Sequence, residues 1–151
     1  MKETTQIYLE KDGCYLMLHR IKKENDMNEG KWIAAGGKFE PGETAEQCAV
    51  RELREETGFE AKTLTKRAEV EFINDQFEDE LMHIYTCSDF EKVCEPISDE
   101  GVFEWIPIKD IFSLNLWEGD RAFLKKMIEG EGFFTMRLIY SGYDLLKVEN
   151  M

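Results

Sequence analysis

The chain has 151 residues, 42% of them apolar and 12% aromatic, with 32 Asp and Glu against 19 Lys and Arg. That content is enough to order one domain around a real core, and too apolar for a disordered acidic segment. A net charge of −13 repels polyphosphate backbones, which excludes a nonspecific nucleic-acid or anionic-membrane binder and leaves room for one anionic ligand bridged by metal ions.

The whole acidic excess lies between residues 68 and 120, and the flanks nearly balance. Cys14, Cys48, Cys87 and Cys94 form no CxxC pair, as expected of reduced thiols in a cytosol, and only two histidines argue against zinc. The opening Met-Lys-Glu-Thr-Thr has no apolar signal segment, and no run nears the ~18 apolar residues of a membrane span. The expected location is the cytoplasm.

Along the chain, Thr4–Leu9 and Cys14–His19 read as strands joined through Lys11-Asp12-Gly13, a hairpin signal. A charged loop, 22–31, precedes Trp32-Ile33-Ala34-Ala35 and the double glycine Gly36-Gly37. Thr44 and Gln47 have capping-box spacing and Gly58 sits where a left-handed C-cap belongs, so a helix is expected over about 45–57. Residues 68–73 and 81–87 read as strands around an acidic turn, 75–80. Residues 102–108 read as a further strand, 117–128 as a second helix, and 133–140 with 143–148 as a terminal hairpin around Ser141-Gly142. No linker or repeat interrupts the sequence, so one domain over 1–151 is expected, of α/β class, with helices covering a mixed sheet.

The chemistry concentrates on the first helix. At about 100° per residue, Glu52, Glu55 and Glu56 share one stripe, while Val50, Leu53 and Thr57 point elsewhere, as a core face would. Like charges so placed repel. Arg51 is one charge against three, so an all-oxygen site for Mg²⁺ or Mn²⁺ is the expected compensation. The loop before this helix, Gly36-Gly37-Lys38, adds close backbone approach, carbonyl oxygens for a metal and an ammonium for a phosphate. Such parts fit phosphoryl chemistry better than acyl or hydride transfer.

Gly37, Glu43, Arg51-Glu52-Leu53, Glu55-Glu56, Gly58 and Phe59 reproduce the pattern G-x5-E-x7-R-E-U-x-E-E-x-G-U, with U apolar, at every specified position. Chance gives such a match with a probability on the order of 10⁻⁵ for a chain of this composition. The chain thereby resembles the Nudix family, and across most of its length the MutT-type oxidised-purine nucleoside triphosphate diphosphatases. The resemblance implies a Nudix fold, an α/β/α sandwich, and cleavage of a nucleoside diphosphate linked to another group. It implies metal ligands at Gly36 (through its carbonyl), Glu52, Glu55, Glu56 and Glu100, with Arg51 orienting Glu43 or a neighbouring carboxylate. One of Glu52, Glu55, Glu56 or Glu100 would activate water. Lys38, Gly37, Lys23, Met27 and Ile33 fall at substrate-pocket positions, and Trp117 and Asp120 at those that stack on and hydrogen-bond the purine. Ile33 stands where the mammalian enzyme has an asparagine that reads the base, and Gly119-Asp120 stands where it has two adjacent acids.

The expected activity is hydrolysis of a purine nucleoside triphosphate such as 8-oxo-dGTP, by a monomer or homodimer that sanitises the nucleotide pool for DNA repair and has no nucleic-acid polymer or membrane as partner. Alternatives are another Nudix substrate (an unmodified triphosphate, a dinucleoside polyphosphate or a nucleotide sugar) or a non-catalytic nucleotide-binding module.

Overall fold

A computed structural model of the chain describes residues 1–22 and 24–151. The first hairpin joins β1 (Lys2–Lys11) to β2 (Cys14–His19) through Asp12 and Gly13, at φ 52° and 72°. Two positive φ values in a two-residue loop are what a hairpin of native twist needs. Next come β3 (Trp32–Ile33), β4 (Ala35–Lys38), α1 (Ala45–Thr57), β5 (Phe59–Ala61), β6 (Thr65–Asn74) and β7 (Glu80–Cys87). After them follow β8 (Phe90–Lys92), β9 (Val102–Pro107), a 3₁₀ turn (Ile108–Ser113), α2 (Glu118–Ile128), β10 (Phe134–Ser141) and β11 (Asp144–Asn150).

The main sheet runs β11-β10-β6-β7-β1-β2-β3, with β4 paired to β1 and β9 to β2. It is mixed: β1 with β7 and β6 with β10 are parallel, the other pairs antiparallel. Strand alternation sends successive side chains to opposite faces. Ile7, Leu9 and Tyr85 therefore pack under Ala49 and Leu53 of α1, whereas Tyr8, Val70, Phe72 and Ile84 pack with Phe123, Leu124 and Met127 of α2. The result is an α/β/α arrangement, as expected.

Helix α1 has both predicted ends. Thr44 Oγ1 accepts the Gln47 N–H at 3.2 Å, the Gln47 side chain returns the bond at 3.0 Å, and Gly58 closes the helix at φ 76°. Its inner face differs from the wheel reading. Cys48, Ala49, Leu53, Glu56 and Thr57 are buried, and Val50 instead borders a surface groove with Arg54 and Leu64. A carboxylate has taken a place on the buried side.

Four other differences reach the site or its surroundings. The double glycine lies within a strand: β4 pairs with β1 in the register Thr5↔Gly37 and Gln6↔Gly36. The acidic turn ends one residue early, so Glu80 opens β7 and faces as a strand residue. Helix α2 starts at Glu118, which leaves Trp117 just outside it and puts Asp120 in its first turn. The two-stranded β5–β8 sheet and the 3₁₀ turn were not anticipated, because three-residue strands carry too little alternation to be recognised. Among the described residues no helix is long and apolar enough to cross a membrane.

Gly36 is required by contact. Its φ is 151°, and a Cβ there would lie 1.9 Å from the Thr5 carbonyl oxygen. Gly36→Ala must push β4 off β1 in the sheet centre, and a cost of about 3 kcal/mol or more is expected, read as a melting temperature lower by on the order of 10 °C.

Candidate active site

Strand β4 has the candidate carboxylates on one side and a cleft on the other. Arg51 organises the first group. Its guanidinium donates to both Glu43 oxygens (2.6 and 2.9 Å), to Glu52 (2.9 Å), to Glu55 (3.1 Å) and to the Lys38 carbonyl (3.0 Å). The paired hydrogen bonds from Arg51 hold the Glu43 carboxyl down to about 2. The orienting partner expected for Arg51 is thus Glu43 in this geometry, with Glu52 and Glu55 held by the same fork.

Glu56 is held differently. It is 7% exposed and accepts the Gly36 N–H at 3.2 Å. Burial drives its carboxyl up to about 8, with Glu52 and Glu100 pushing the same way and the Gly36 N–H opposing. Burial also raises Glu52, against the pull of Arg51. Gly37 makes room for this group: a Cβ there would lie 2.5 Å from the Glu52 carboxyl carbon.

Glu100 reaches the cluster from the segment before β9. It borders a small recess with Glu56 and receives Arg20 Nη1 at 2.6 Å, while the same guanidinium grips Asp26 at 2.8 Å. Arg20 carried no local signal, since its partner is eighty residues away in sequence.

No three carboxylates form a ready-made ligand group among the described residues, since Arg51 holds Glu52 and Glu55 and Arg20 holds Glu100. The donor set still fits a hard divalent cation. It is all oxygen, neighbouring acids add to the rise of Glu52 and Glu56, and buried Glu56 has a backbone N–H as its donor rather than a cation.

On the other side of β4 lies a cleft of about 160 Å³. Seven predicted positions line it together: Met27, Ile33, Gly36, Gly37, Lys38, Trp117 and Asp120. Lys23, predicted to belong here, lies outside the described residues. Trp117 is 5% exposed, stacks on Tyr143 (5.0 Å, 28°) and donates Nε1–H to Asn28 Oδ1 at 2.7 Å. The Tyr143 hydroxyl donates to the Met27 carbonyl at 3.0 Å, tying the loop before β3 to the terminal hairpin. Asp120 is 5% exposed, and burial pushes its carboxyl up to about 7, aided by Glu80. The cleft also takes in Thr4, Gln6, Asn28, Phe72, Glu80 and Met82, which the sequence reading did not single out as site residues. Alternation along β1 and β7 was the one signal available for Thr4, Gln6 and Met82, once those strands were placed side by side.

With the box residues gathered around β4 and α1, the comparisons with known proteins agree. The NUDIX domain pattern matches residues 5–127. The chain belongs to the Nudix family. It is 36% identical over 129 residues to the oxidized purine nucleoside triphosphate hydrolase of Danio rerio, covering 82% of this chain and 79% of that protein. Over 61 residues it is 44% identical to the CTP pyrophosphohydrolase of Escherichia coli strain K12, covering 40% of this chain and 44% of that protein. Among solved structures, the MutT protein from Bacillus halodurans superposes with a TM-score of 0.87 at 22% identity, over 99% of this chain and 97% of that one, a likeness of fold. The protein is therefore a Nudix hydrolase, and hydrolases of this family work with divalent metal ions.

Replacing Arg51 by Lys keeps the charge of this Nudix site and removes the fork on Glu43. Loss of such an outer partner is expected to lower metal affinity or kcat/KM by about 10- to 100-fold, measured by metal titration and steady-state kinetics. A change below twofold would sink the orienting role.

Proposed function

We propose that this Nudix hydrolase converts a purine nucleoside triphosphate, with 8-oxo-dGTP as preferred substrate, to the monophosphate and pyrophosphate, using Mg²⁺ or Mn²⁺. The observation that carries the reading is the position of β4: Gly36, Gly37 and Lys38 wall the cleft that holds Trp117 and Asp120, while Gly36 also touches Glu56 of the acidic group. A base in the cleft would therefore have its phosphates at the carboxylates. At about 160 Å³ the cleft is smaller than the roughly 300 Å³ at which drug-sized ligand sites begin, which suits a flat base better than a whole nucleotide. The name of the Danio rerio relative supports a purine triphosphate as substrate.

In this reading Glu52, Glu55, Glu56, Glu100 and the Gly36 carbonyl would hold the cation, which when bound supplies positive charge to the triphosphate and the leaving pyrophosphate. Arg51 keeps Glu43, Glu52 and Glu55 in place, Lys38 meets a phosphate, and one of the carboxylates accepts the proton of the attacking water. Ile33 offers no hydrogen bond, so base reading falls to Asp120 and its neighbours. A monomer or a homodimer would carry this site, and cytosolic pool sanitising is the role that fits the substrate.

The deciding experiment is a panel of 8-oxo-dGTP, dGTP, dCTP, a dinucleoside polyphosphate and a nucleotide sugar at matched Mg²⁺, with pyrophosphate detection. Expected is pyrophosphate release with the highest kcat/KM on 8-oxo-dGTP and none in EDTA. Equal kcat/KM on 8-oxo-dGTP and dGTP would remove the sanitising role, and nucleotide binding without turnover of any compound would favour a sensing module.

A further inference from the structure

Two polar side chains on the floor of the cleft, Thr4 and Glu80, have no partner beyond each other among the described residues. Thr4 is 7% exposed, and its Oγ1 is buried without a hydrogen bond among the described residues. Glu80, half-buried on the neighbouring strand, lines the same cleft, and among the described residues its carboxylate makes no ion pair. Burial raises the Glu80 carboxyl, and the Lys2 ammonium and the Thr4 hydroxyl beside it oppose the rise. Gln6 on the same floor shows the contrast, since its side chain donates to Met82 Sδ at 3.1 Å and accepts from the Tyr8 hydroxyl at 3.3 Å.

The sheet sets this arrangement. Parallel pairing registers Lys2 with Glu80 and Thr4 with Met82, and alternation turns Thr4 and Glu80 to the α2 side, where Asp120 enters from the first turn of the helix. Asp120 and Glu80 line one cleft and raise each other's neighbourhood in negative potential. A buried hydroxyl without a partner is costly in a folded protein unless a ligand or water meets it. A carboxylate is an acceptor for two N–H groups at once.

Resting on the nucleotide-hydrolase reading above, we propose that Glu80 and Thr4 form a second base-reading point, separate from Asp120, which selects a base edge carrying adjacent N–H groups. That is the edge of a guanine-type purine, with its ring N–H beside an amino group. An adenine or cytosine presents a ring nitrogen acceptor at the matching place, which a carboxylate repels. The position is thus specificity-determining, and it compensates for the apolar Ile33 that lines the same cleft.

The test uses Glu80→Gln, which keeps the size but sets an N–H against one N–H of the base, and Thr4→Val, which removes only the hydroxyl. Binding of dGMP, dAMP and dCMP to the full chain is measured by calorimetry, so that the base subsite is read without turnover. Kinetics on the corresponding triphosphates follow. The expected outcome is that Glu80→Gln weakens dGMP binding and raises KM for dGTP by about tenfold, changes dCMP and dCTP by less than twofold, and leaves kcat within twofold. Thr4→Val is expected to move dGMP in the same direction by a smaller factor. Unchanged preference among the three bases in both variants, or an equal loss on all three, would overturn the assignment. If the wild type binds dGMP selectively but hydrolyses no triphosphate, the hydrolytic reading fails and the base-reading assignment stands. Circular dichroism confirms that both variants fold.

Discussion

A Glu56→Gln variant is expected to lose at least two orders of magnitude in kcat while folding normally. Loss of an outer partner of a metal ligand costs about 10- to 100-fold, and Glu56 is proposed as a direct ligand, so its loss has to exceed that range. The fold survives because the side chain is already awkward without metal: it is 7% exposed, raised to about 8 by burial and faced by Glu52 and Glu100. A neutral amide of equal size keeps the Gly36 N–H bond and removes the like-charge repulsion. In EDTA the variant should melt at or above the wild-type temperature, and adding Mg²⁺ should stabilise the wild type more than the variant. Near-full turnover, or equal stabilisation of both proteins by Mg²⁺, would sink the metal-ligand assignment.

Stability without ligand should fall as pH rises from about 4 to 7, and Asp120→Asn should flatten that slope. Burial raises the Asp120 carboxyl from its usual 3.8 to about 7, Glu80 adds to the rise, and Lys31 and Arg121 oppose it. The folded chain therefore holds a proton that the unfolded chain releases between these values. Stability is fully present below the ordinary pKa and is lost as pH climbs through the folded one. A shift of about three units sets an upper limit of about 4 kcal/mol for Asp120, and the raised carboxyls of Glu56, Glu52 and Glu80 add to the same slope. The phenols of Tyr8 and Tyr140, which face Asp120 from β1 and β10, are raised still further and stay neutral over this range. At pH 8 Asp120→Asn should thus melt higher than the wild type, by about 3 to 10 °C for a chain of this size. The same variant should raise KM for purine triphosphates about tenfold or more if Asp120 hydrogen-bonds the base. Equal slopes for the wild type and Asp120→Asn between pH 4 and 7 would show that the Asp120 carboxyl is not held in its neutral form.

What the sequence determined by itself was local. Helix α1, its capping box, its Gly58 stop and the box from Gly37 to Phe59 lie within one short segment, where helical period and cap chemistry act between residues a few positions apart. Arg51 meets Glu43, Glu52 and Glu55 for the same reason. Seven of the eight predicted cleft and glycine positions outside the helix could be checked for a common lining, and all seven share it.

Tertiary structure decided the rest. A helical wheel does not reveal which side the sheet covers, so Glu56 falls on a stripe apart from the core and Val50 on the core face; packing against β4 and β1 buries Glu56 and leaves Val50 at a surface groove. The double glycine was read as a loop because its reason lies in other strands and in α1: Thr5 and Glu52 leave no space for a Cβ. Arg20 with Glu100, Asn28 with Trp117, and Thr4 beside Glu80 are separated by about eighty residues or more and meet through long-range pairing: β2 with β9, Trp32 of β3 with the Asn115 carbonyl, and β1 with β7. Local chemistry thus set the acids that can bind a cation, and long-range strand pairing set which polar groups are left facing the base.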